Sequence, residues 1–448
     1  MKVVGIIQAC NEWPMVASSI SFALHYHVDK VFALLHRDTA SSRQGFAKLQ
    51  EIWGGRLVVL ELSSAEYWQE ATSNAFLQIV QGESPDWIYF FDADEFLLSD
   101  AGDGLRQVLS GLDPSIASIR YEVQNWVATT DFDETSMEQY ERLVYRSLPN
   151  LFLIFHPWTM RDEIKAGNIN IFDIQFIGPK VIFRNSPEAW ISAGAHLIRP
   201  WRTDEIIETP CPMLRAAHFP FLSYRRLGLR ANQGKSLIEM GFPEWHGWQS
   251  QMIHELLESG EIDGFWESHS IAPDASETGR SRPSIIVDES FSNAIRPIIR
   301  LLEENGVTHG FRFDSEGYPE LQSFGGPATS FETLVQFARK TQLILESMEK
   351  KRYSALMERD AIISSLKEEL ARANAVLMDR DVVKASLNEG TARVSSVKKQ
   401  MLELGKEFVK LSLLVFPEGS AGHRLLKAIK RMIFGLFPKR EAIPFKPN

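Results

Sequence analysis

The residues best suited to chemistry are Asp92 and Asp94, within the run Asp86-Trp87-Ile88-Tyr89-Phe90-Phe91-Asp92-Ala93-Asp94-Glu95-Phe96-Leu97. The apolar stretch 87–91 reads as a buried strand that delivers two carboxylates, one residue apart, at its C-terminal end. Open α/β sheets bind their ligands at that end. Alternate residues of an extended segment point the same way, so both carboxylates face one cleft. Unpaired and this close, they repel by about 4 kcal/mol at an effective dielectric near 20. A divalent cation removes the repulsion and bridges to a diphosphate, and Mn²⁺ or Mg²⁺ suits such an oxygen-rich site. The competing structural reading is a turn cap at 92–95, because short Asp-x-Asp strings also arise by chance.

Such a pair needs a scaffold, and the surrounding sequence alternates strand and helix signals. Val3–Ile7, Lys30–Leu35, Arg56–Leu62 and Trp87–Phe91 read as strands, while Pro14–Tyr26, Ser42–Trp53 and Ala71–Gln81 read as helices. Short, nearly continuous apolar strands separated by helices of this length predict a mostly parallel sheet covered on both faces. Further strands follow at Ile116–Val123 and Val181–Arg184, around a long polar insertion at Asp131–Tyr145. The turn-rich Ala272–Pro283 marks the end of the catalytic unit. The expected organisation is a catalytic domain over 1–270, a linker and accessory helical segment over 271–330, a long helix over 331–415 and a basic amphipathic tail over 416–448.

Several motifs in order resemble the family-2-like glycosyltransferases of the GT-A fold. They are Ala9-Cys10-Asn11-Glu12-Trp13 after the first strand, the helix ending near His25, Val28-Asp29-Lys30-Val31, and Asp92-Ala93-Asp94-Glu95-Phe96. The likeness is greatest to a bacterial branch with Asn-Glu near the start and Asp-x-Asp-Glu-Phe after the fourth strand. A second block carries Lys180-Val181-Ile182-Phe183-Arg184, Gly194-Ala195-His196, Ala217-His218-Phe219-Pro220-Phe221-Leu222-Ser223-Tyr224 and Gly234-Lys235, so the resemblance spans roughly Val3 to Lys235. It implies an α/β fold with a GT-A-like, mostly parallel central sheet and flanking helices, followed here by a helical extension.

The resemblance also implies roles. Asn11 and Glu12 would lie beside the nucleotide, and Asp38 would approach the base or ribose. Asp92 and Asp94 would hold metal and diphosphate, with His218 completing the metal shell, His196 as a second candidate, and Lys180 offsetting phosphate charge. Simpler readings compete: Asn11-Glu12 as a cap on the helix at Pro14, and His218 as a core histidine beside Phe219-Pro220-Phe221. No Glu-Asp or Gln-x-x-Arg-Trp motif follows the acidic pair, although Trp201-Arg202-Thr203-Asp204-Glu205 contains similar residue types. The inverting transfer implied by the family needs a carboxylate to deprotonate the acceptor hydroxyl. Asp133, Glu163 and Asp204 are the unranked candidates.

Past 330 the pattern changes. Ile363, Leu366, Leu370, Ala373 and Leu377, then Val394, Val397, Met401, Leu404, Phe408 and Leu411, step by 3 and 4 in one register. That is heptad spacing, which predicts a coiled coil and a homo-oligomer, against the alternative of a hairpin packed on its own domain. Leu425, Leu426, Ile429, Met432, Ile433 and Leu436 fall at helical spacing among Arg424, Lys427, Lys430 and Arg431. From Ala421 onward there are seven basic residues and one acidic, in a chain whose net charge is −10. Such a helix suits peripheral contact with an anionic membrane, or docking on the chain's own acidic surface.

The acidic balance argues against nucleic acid as a partner. Two distant cysteines, Cys10 and Cys211, give no disulfide framework, and no apolar run reaches the roughly 18 residues that span a bilayer. The expected location is therefore the cytoplasm, with the inner membrane face as a possible anchor. Expected partners are a nucleotide-sugar donor and a glycan or lipid-linked acceptor of envelope glycan synthesis. A nucleotidyltransferase could use the same aspartates, though no Gly-rich phosphate loop supports it. An inactive coiled-coil scaffold is the third class.

Overall fold

The computed structural model describes residues 1–9, 13, 15–36, 40–62, 68–100, 104–149, 151–153, 157–176, 180–187, 189–196, 198–200, 207–244, 247–273, 284–307, 331, 333–343, 347, 388–396, 398–400 and 403. The chain divides into two compact units: Met1–Arg199 with Ile206–Ala338, and Pro200–Glu205 with Arg339–Asn448. Every residue of the site below belongs to the first.

That unit opens with the expected alternation: β1 (Val3–Ala9), α1 (Met15–Tyr26), β2 (Lys30–His36), α2 (Ala40–Trp53), β3 (Leu57–Leu62), α3 (Gln69–Gln81) and β4 (Trp87–Phe91). There follow β5 (Glu95–Ser99), α4 (Gly104–Ser110), β6 (Ile116–Val127), β7 (Tyr145–Ser147), β8 (Leu151–Leu153) and α5 (Arg161–Lys165). Next come β9 (Ile174–Phe176), β10 (Lys180–Arg184), β11 (Ala189–Ile191), β12 (Ile198–Pro200) and the long β13 (Ile207–His218). The unit continues with α6 (Tyr224–Glu239), α7 (Trp248–Ser259), α8 (Ile262–His269), β14 (Ile285–Val287) and α9 (Ser290–Glu304).

The main sheet runs β14-β7-β6-β10-β4-β1-β2-β3, with β13 joined to both β5 and β6. Strands β3, β2, β1 and β4 are parallel, and β10 then enters antiparallel to β4 and β6. The result is an α/β fold with a mixed sheet and flanking helices. Both faces of the parallel half are covered. Val3, Ile7, Val31, Leu35, Tyr89 and Phe91 join the core shared with α1 and α2, while Val4, Ile6, Phe32, Leu34 and Phe90 join Phe76 and Val80 of α3. Burial on two faces explains why these strands read as unbroken apolar runs. Fully burying each such side chain is worth about 2 kcal/mol.

The stretch read as linker and accessory segment contributes β14 and α9 to this unit. Phe291, Ile295, Ile298 and Leu302 of α9 are buried at helical spacing, and the Phe291 ring lies 4.9 Å from Phe96 and 4.7 Å from Phe219. Phe331, at the start of the expected long helix, packs 5.0 Å from Phe76 on the opposite sheet face. Of the heptad positions, Val394 is described, helical and exposed, while Ile363–Leu377, Val397, Met401 and Leu404–Leu411 lie outside the described residues. The basic segment 424–440 also lies outside them. No helix among the described residues is long and apolar enough to cross a membrane.

One buried histidine ties the strand leaving the acidic pair to its neighbours. His27 is 3% exposed; its Nε2 donates to the Leu97 carbonyl at 2.6 Å and its Nδ1 accepts from Leu105 N at 3.4 Å. Burial pulls its pKa down to about 4 from the ordinary 6.5. The unfolded chain therefore binds the extra proton first as pH falls. His27 contributes fully above pH 6.5, and that contribution is lost toward pH 4, a change of about 3 kcal/mol. Urea unfolding should show the advantage of wild type over His27→Gln shrinking by this amount across that window. A pH-independent difference would contradict the assignment.

Candidate active site

The site is assembled where the parallel half of the sheet meets β10. Asp92 and Asp94 occupy the tight turn between β4 and β5, closed by a hydrogen bond from Glu95 N to the Asp92 carbonyl at 3.2 Å. The capping reading of 92–95 is thus correct for the backbone, and it leaves both side chains available. They diverge. Asp92 is 44% exposed at its side chain, while Asp94 is 9% exposed.

Each carboxylate has its own protein cation. Lys180 opens β10, whose antiparallel register places it beside the C-terminal end of β4. Its ammonium, 3% exposed, donates to Asp92 Oδ2 at 2.6 Å and lies 3.1 Å from Glu95 Oε1. Arg230, on α6, donates from Nη2 to Asp94 Oδ2 at 3.1 Å. The repulsion between unpaired carboxylates anticipated from sequence is therefore relieved by Lys180 and Arg230. A cation entering from solution must compete with them.

The charge balance follows from burial. Burial opposes the charge on Asp92, yet the Lys180 ammonium, aided by His196 and His218, holds its carboxyl below the ordinary range. Burial pushes Glu95 up to about 8, with Lys180 opposing and Asp92 and Asp94 adding to the shift. Lys180 resists the desolvation that would lower its pKa because Asp92 and Glu95 hold its ammonium above the usual value. Near neutral pH the core of this nest is one cation, one anion and one largely protonated acid. Glu95 Oε2 is buried with no hydrogen-bond partner, which fits that protonated state.

His218 ends β13, where the register sets it beside Asn125 of β6 and Glu95 of β5. Its Nδ1 meets Asn125 Oδ1 at 2.7 Å. An amide oxygen only accepts, so Nδ1 carries the proton and Nε2 is left as an acceptor. Burial lowers the pKa of His218, with Asp94 opposing, so the ring is neutral at physiological pH. Its Nε2 lies 3.8 Å from Asp94 Oδ2. Two acceptors facing each other across that gap are a poor pair alone and a good pair of metal ligands. The Asn125 contact fixes the ring orientation and tautomer of His218, as such bonds do for imidazoles that ligate metals. Among the described residues no three His, Cys, Asp or Glu side chains converge on one point. Asp94 Oδ2 and His218 Nε2, 3.8 Å apart, are the two ligand-type atoms this site brings face to face, and both are types a divalent cation could take.

The other anticipated residues fall as follows. His196 follows a short turn in which Gly194 has φ +70, and a Cβ there would come within 2.8 Å of the His196 ring. Its segment is anchored by Asn74 of α3, which donates to the Ile191 carbonyl at 2.8 Å and accepts from Ile191 N at 2.9 Å. Asp133 is exposed and accepts from Thr135 N and Oγ1 at 2.9 and 2.7 Å. Glu163 is exposed on α5 and accepts from Asn168 at 2.8 Å. Asn11, Glu12, Asp38 and Asp204 lie outside the described residues. Trp13, beside Asn11 and Glu12, is described and buried. A Cβ on Gly45 of α2 would stand 2.5 Å from its ring, so only glycine lets the two meet.

Arg230, Asn125 and the role of Glu95 were not foreseen. Asn125 lies in the part of β6 beyond Val123, where the sequence suggested the strand ends. Arg230 is on α6, whose first turn is capped by Ser223 accepting from Arg226 N at 3.1 Å. Arg226 and Arg230, four residues apart, share one helix face and reach Glu134 and Asp94. That spacing was the available signal.

No family model and no curated protein matches the chain. Solved structures similar to it include the apo-form glycosyltransferase GlyE of Streptococcus pneumoniae TIGR4, at 16% identity over 27% of this chain and 29% of that one, with a TM-score of 0.19. TarS 1-349 of S. aureus is similar at 12% identity over 71% of this chain and 98% of that one, with a TM-score of 0.30. CMP:2-keto-3-deoxy-manno-octonic acid synthetase is similar at 14% identity over 34% of this chain and 60% of that one, with a TM-score of 0.18. The chain spans under a third of the GlyE length, and the function is argued from the site itself.

Lys180→Met leaves the 44%-exposed Asp92 without its cation and should cost about 1 kcal/mol in urea unfolding. Adding Asp92→Asn should recover most of that loss, because the stranded charge is gone. Additive losses in the double variant would show that Lys180 and Asp92 are not coupled.

Proposed function

We propose that the chain is a glycosyltransferase that moves a sugar from a nucleotide-diphosphate donor to an acceptor hydroxyl. The observation that carries this reading is the Asp92–Asp94 turn at the end of β4, flanked by Lys180, Arg230 and a neutral His218. An acidic pair alone repels a diphosphate; this one is interleaved with two cations and a metal-ligand pair. Bulk composition adds nothing specific, but the motif order described above supports the same class.

In this reading Asp94 and His218 would hold Mn²⁺ or Mg²⁺, which would supply positive charge beside the leaving diphosphate. Asn125 keeps the His218 tautomer, and Glu95 and Lys180 keep Asp92 oriented at the cleft. Lys180 adds fixed positive charge, and Arg230 a second positive charge, where negative charge develops as the sugar–oxygen bond breaks, a form of electrostatic catalysis. The acceptor hydroxyl loses its proton to a carboxylate on the other side of the sugar. Asp133 and Glu163 are exposed enough to serve, and Asp204 remains a third candidate. An envelope glycan or lipid-linked acceptor, reversible membrane contact through 424–440 and self-association through the heptads remain part of the proposal.

A screen of common nucleotide-sugars with Mn²⁺ should detect release of nucleoside diphosphate from at least one donor. Asp94→Asn should reduce that release by about a hundredfold, the scale of losing one electrostatic contact in a closed site. Asp92→Asn should reduce it as well, and both variants should keep a wild-type circular dichroism spectrum. Release of pyrophosphate from a nucleoside triphosphate instead would favour a nucleotidyltransferase, and unaffected variants would remove the acidic pair from the chemistry.

A further inference from the structure

Asp94 Oδ2 is asked to do two things. It accepts from Arg230 Nη2 at 3.1 Å, and it faces the acceptor nitrogen of His218 at 3.8 Å. A guanidinium and a divalent cation cannot both take the same oxygen from the same side. The Arg230 side chain is 21% exposed, so its head group has room to leave, and among the described residues its carboxylate partner is Asp94. Its neighbour one turn earlier differs: Arg226 is 5% exposed and held by buried Glu134 at 2.8 Å, a fixed structural pair.

The helix that presents Arg230 is closely packed. A Cβ on Gly234 would stand 2.0 Å from the Ser250 carbonyl oxygen, so α6 and α7 pack backbone against backbone at that turn. Leu227 and Ala231 are buried on the same side. The Arg230 side chain reaches from this packed turn and rests 5.9 Å from the Phe221 ring. His218, whose pKa the Arg230 charge helps to lower, is the other ionisable group beside it.

We infer that Arg230 is a built-in counter-ion that occupies Asp94 while the site is empty, yields that oxygen to the divalent cation, and then engages the donor diphosphate. The inference rests on the glycosyltransferase reading for its ligand. It adds a positioning residue whose effect on metal alone and on nucleotide has opposite sign. Without Arg230, the Asp94 carboxylate would have no guanidinium on Oδ2 and would attract a cation. With it, the metal site forms only when a diphosphate offers the guanidinium a new partner. Metal and nucleotide are thereby made to bind together rather than separately.

The test uses the full chain and titration calorimetry with two probes, Mn²⁺ alone and UDP in saturating Mn²⁺. Arg230→Gln should bind Mn²⁺ alone roughly tenfold tighter, the scale of one partly buried ion pair no longer competing. The same variant should bind UDP roughly tenfold weaker. Arg230→Lys should stay near wild type in both, because the charge is kept, and Arg230→Met should repeat the Gln result. A merely structural role lowers both affinities together, with a lower unfolding midpoint, and that outcome overturns the inference. Unchanged or weaker Mn²⁺ binding in both charge-removing variants overturns it too. If nucleotide-sugars are nevertheless hydrolysed by wild type, the enzymatic reading survives that failure; absence of hydrolysis would remove the reading instead.

Discussion

Two carboxylates held one residue apart at a strand end must be balanced by positive charge, and much of the architecture around β4 serves that requirement. Lys180 comes from β10, Arg230 from α6, and the neutral His218 from β13. None is close to the acidic turn in sequence. Burying a lone carboxylate would cost several kcal/mol, and burying Lys180 unpaired would cost as much. Each is acceptable only because the others are present. The nest therefore folds as a unit, and its net charge before any ligand arrives is small.

That requirement also explains the mixed sheet. Four parallel strands bring their C-terminal ends to one edge, but a parallel neighbour to β4 would present its own C-terminal end there. An antiparallel β10 instead brings its first residue to that edge, and the first residue is Lys180. Strand β13 pairs parallel to β6 and antiparallel to β5, and it ends at the level of Asn125 and Glu95. The imidazole arrives with its tautomer already chosen. Helix α9 fills the space beneath β5, so the turn carrying Asp92 and Asp94 is supported by Phe96, Phe219 and Phe291 rather than by solvent.

Much of this was legible in the residues themselves. The parallel half announces itself through continuous apolar runs, since strands buried on both faces have no polar side to display. Asp92 and Asp94 stood out because two carboxylates end an apolar strand, whereas Lys180 and His218 entered only through the resemblance of their motifs to a known family. What could not be read was pairing across distant strands. Nothing local to Asn125 says that a strand ninety residues later ends beside it, and nothing local to Arg230 distinguishes it from Arg226. Glu95 looked like the tail of a motif, and only burial beside Lys180 gives it a separate function. The polar stretch before Ile285 looked like the end of a domain, yet the amphipathic α9 beyond it completes the same core.

The account stands on Asp94 and His218 sharing one divalent cation at the end of β4, with the diphosphate beside Arg230. The most direct measurement is a crystal structure of the chain with Mn²⁺ and UDP, with anomalous diffraction collected at the manganese edge. The account predicts one anomalous peak within about 2.3 Å of Asp94 and His218 Nε2, with the Arg230 guanidinium on the diphosphate. A peak elsewhere, or UDP bound away from the β4–β5 turn, would contradict it.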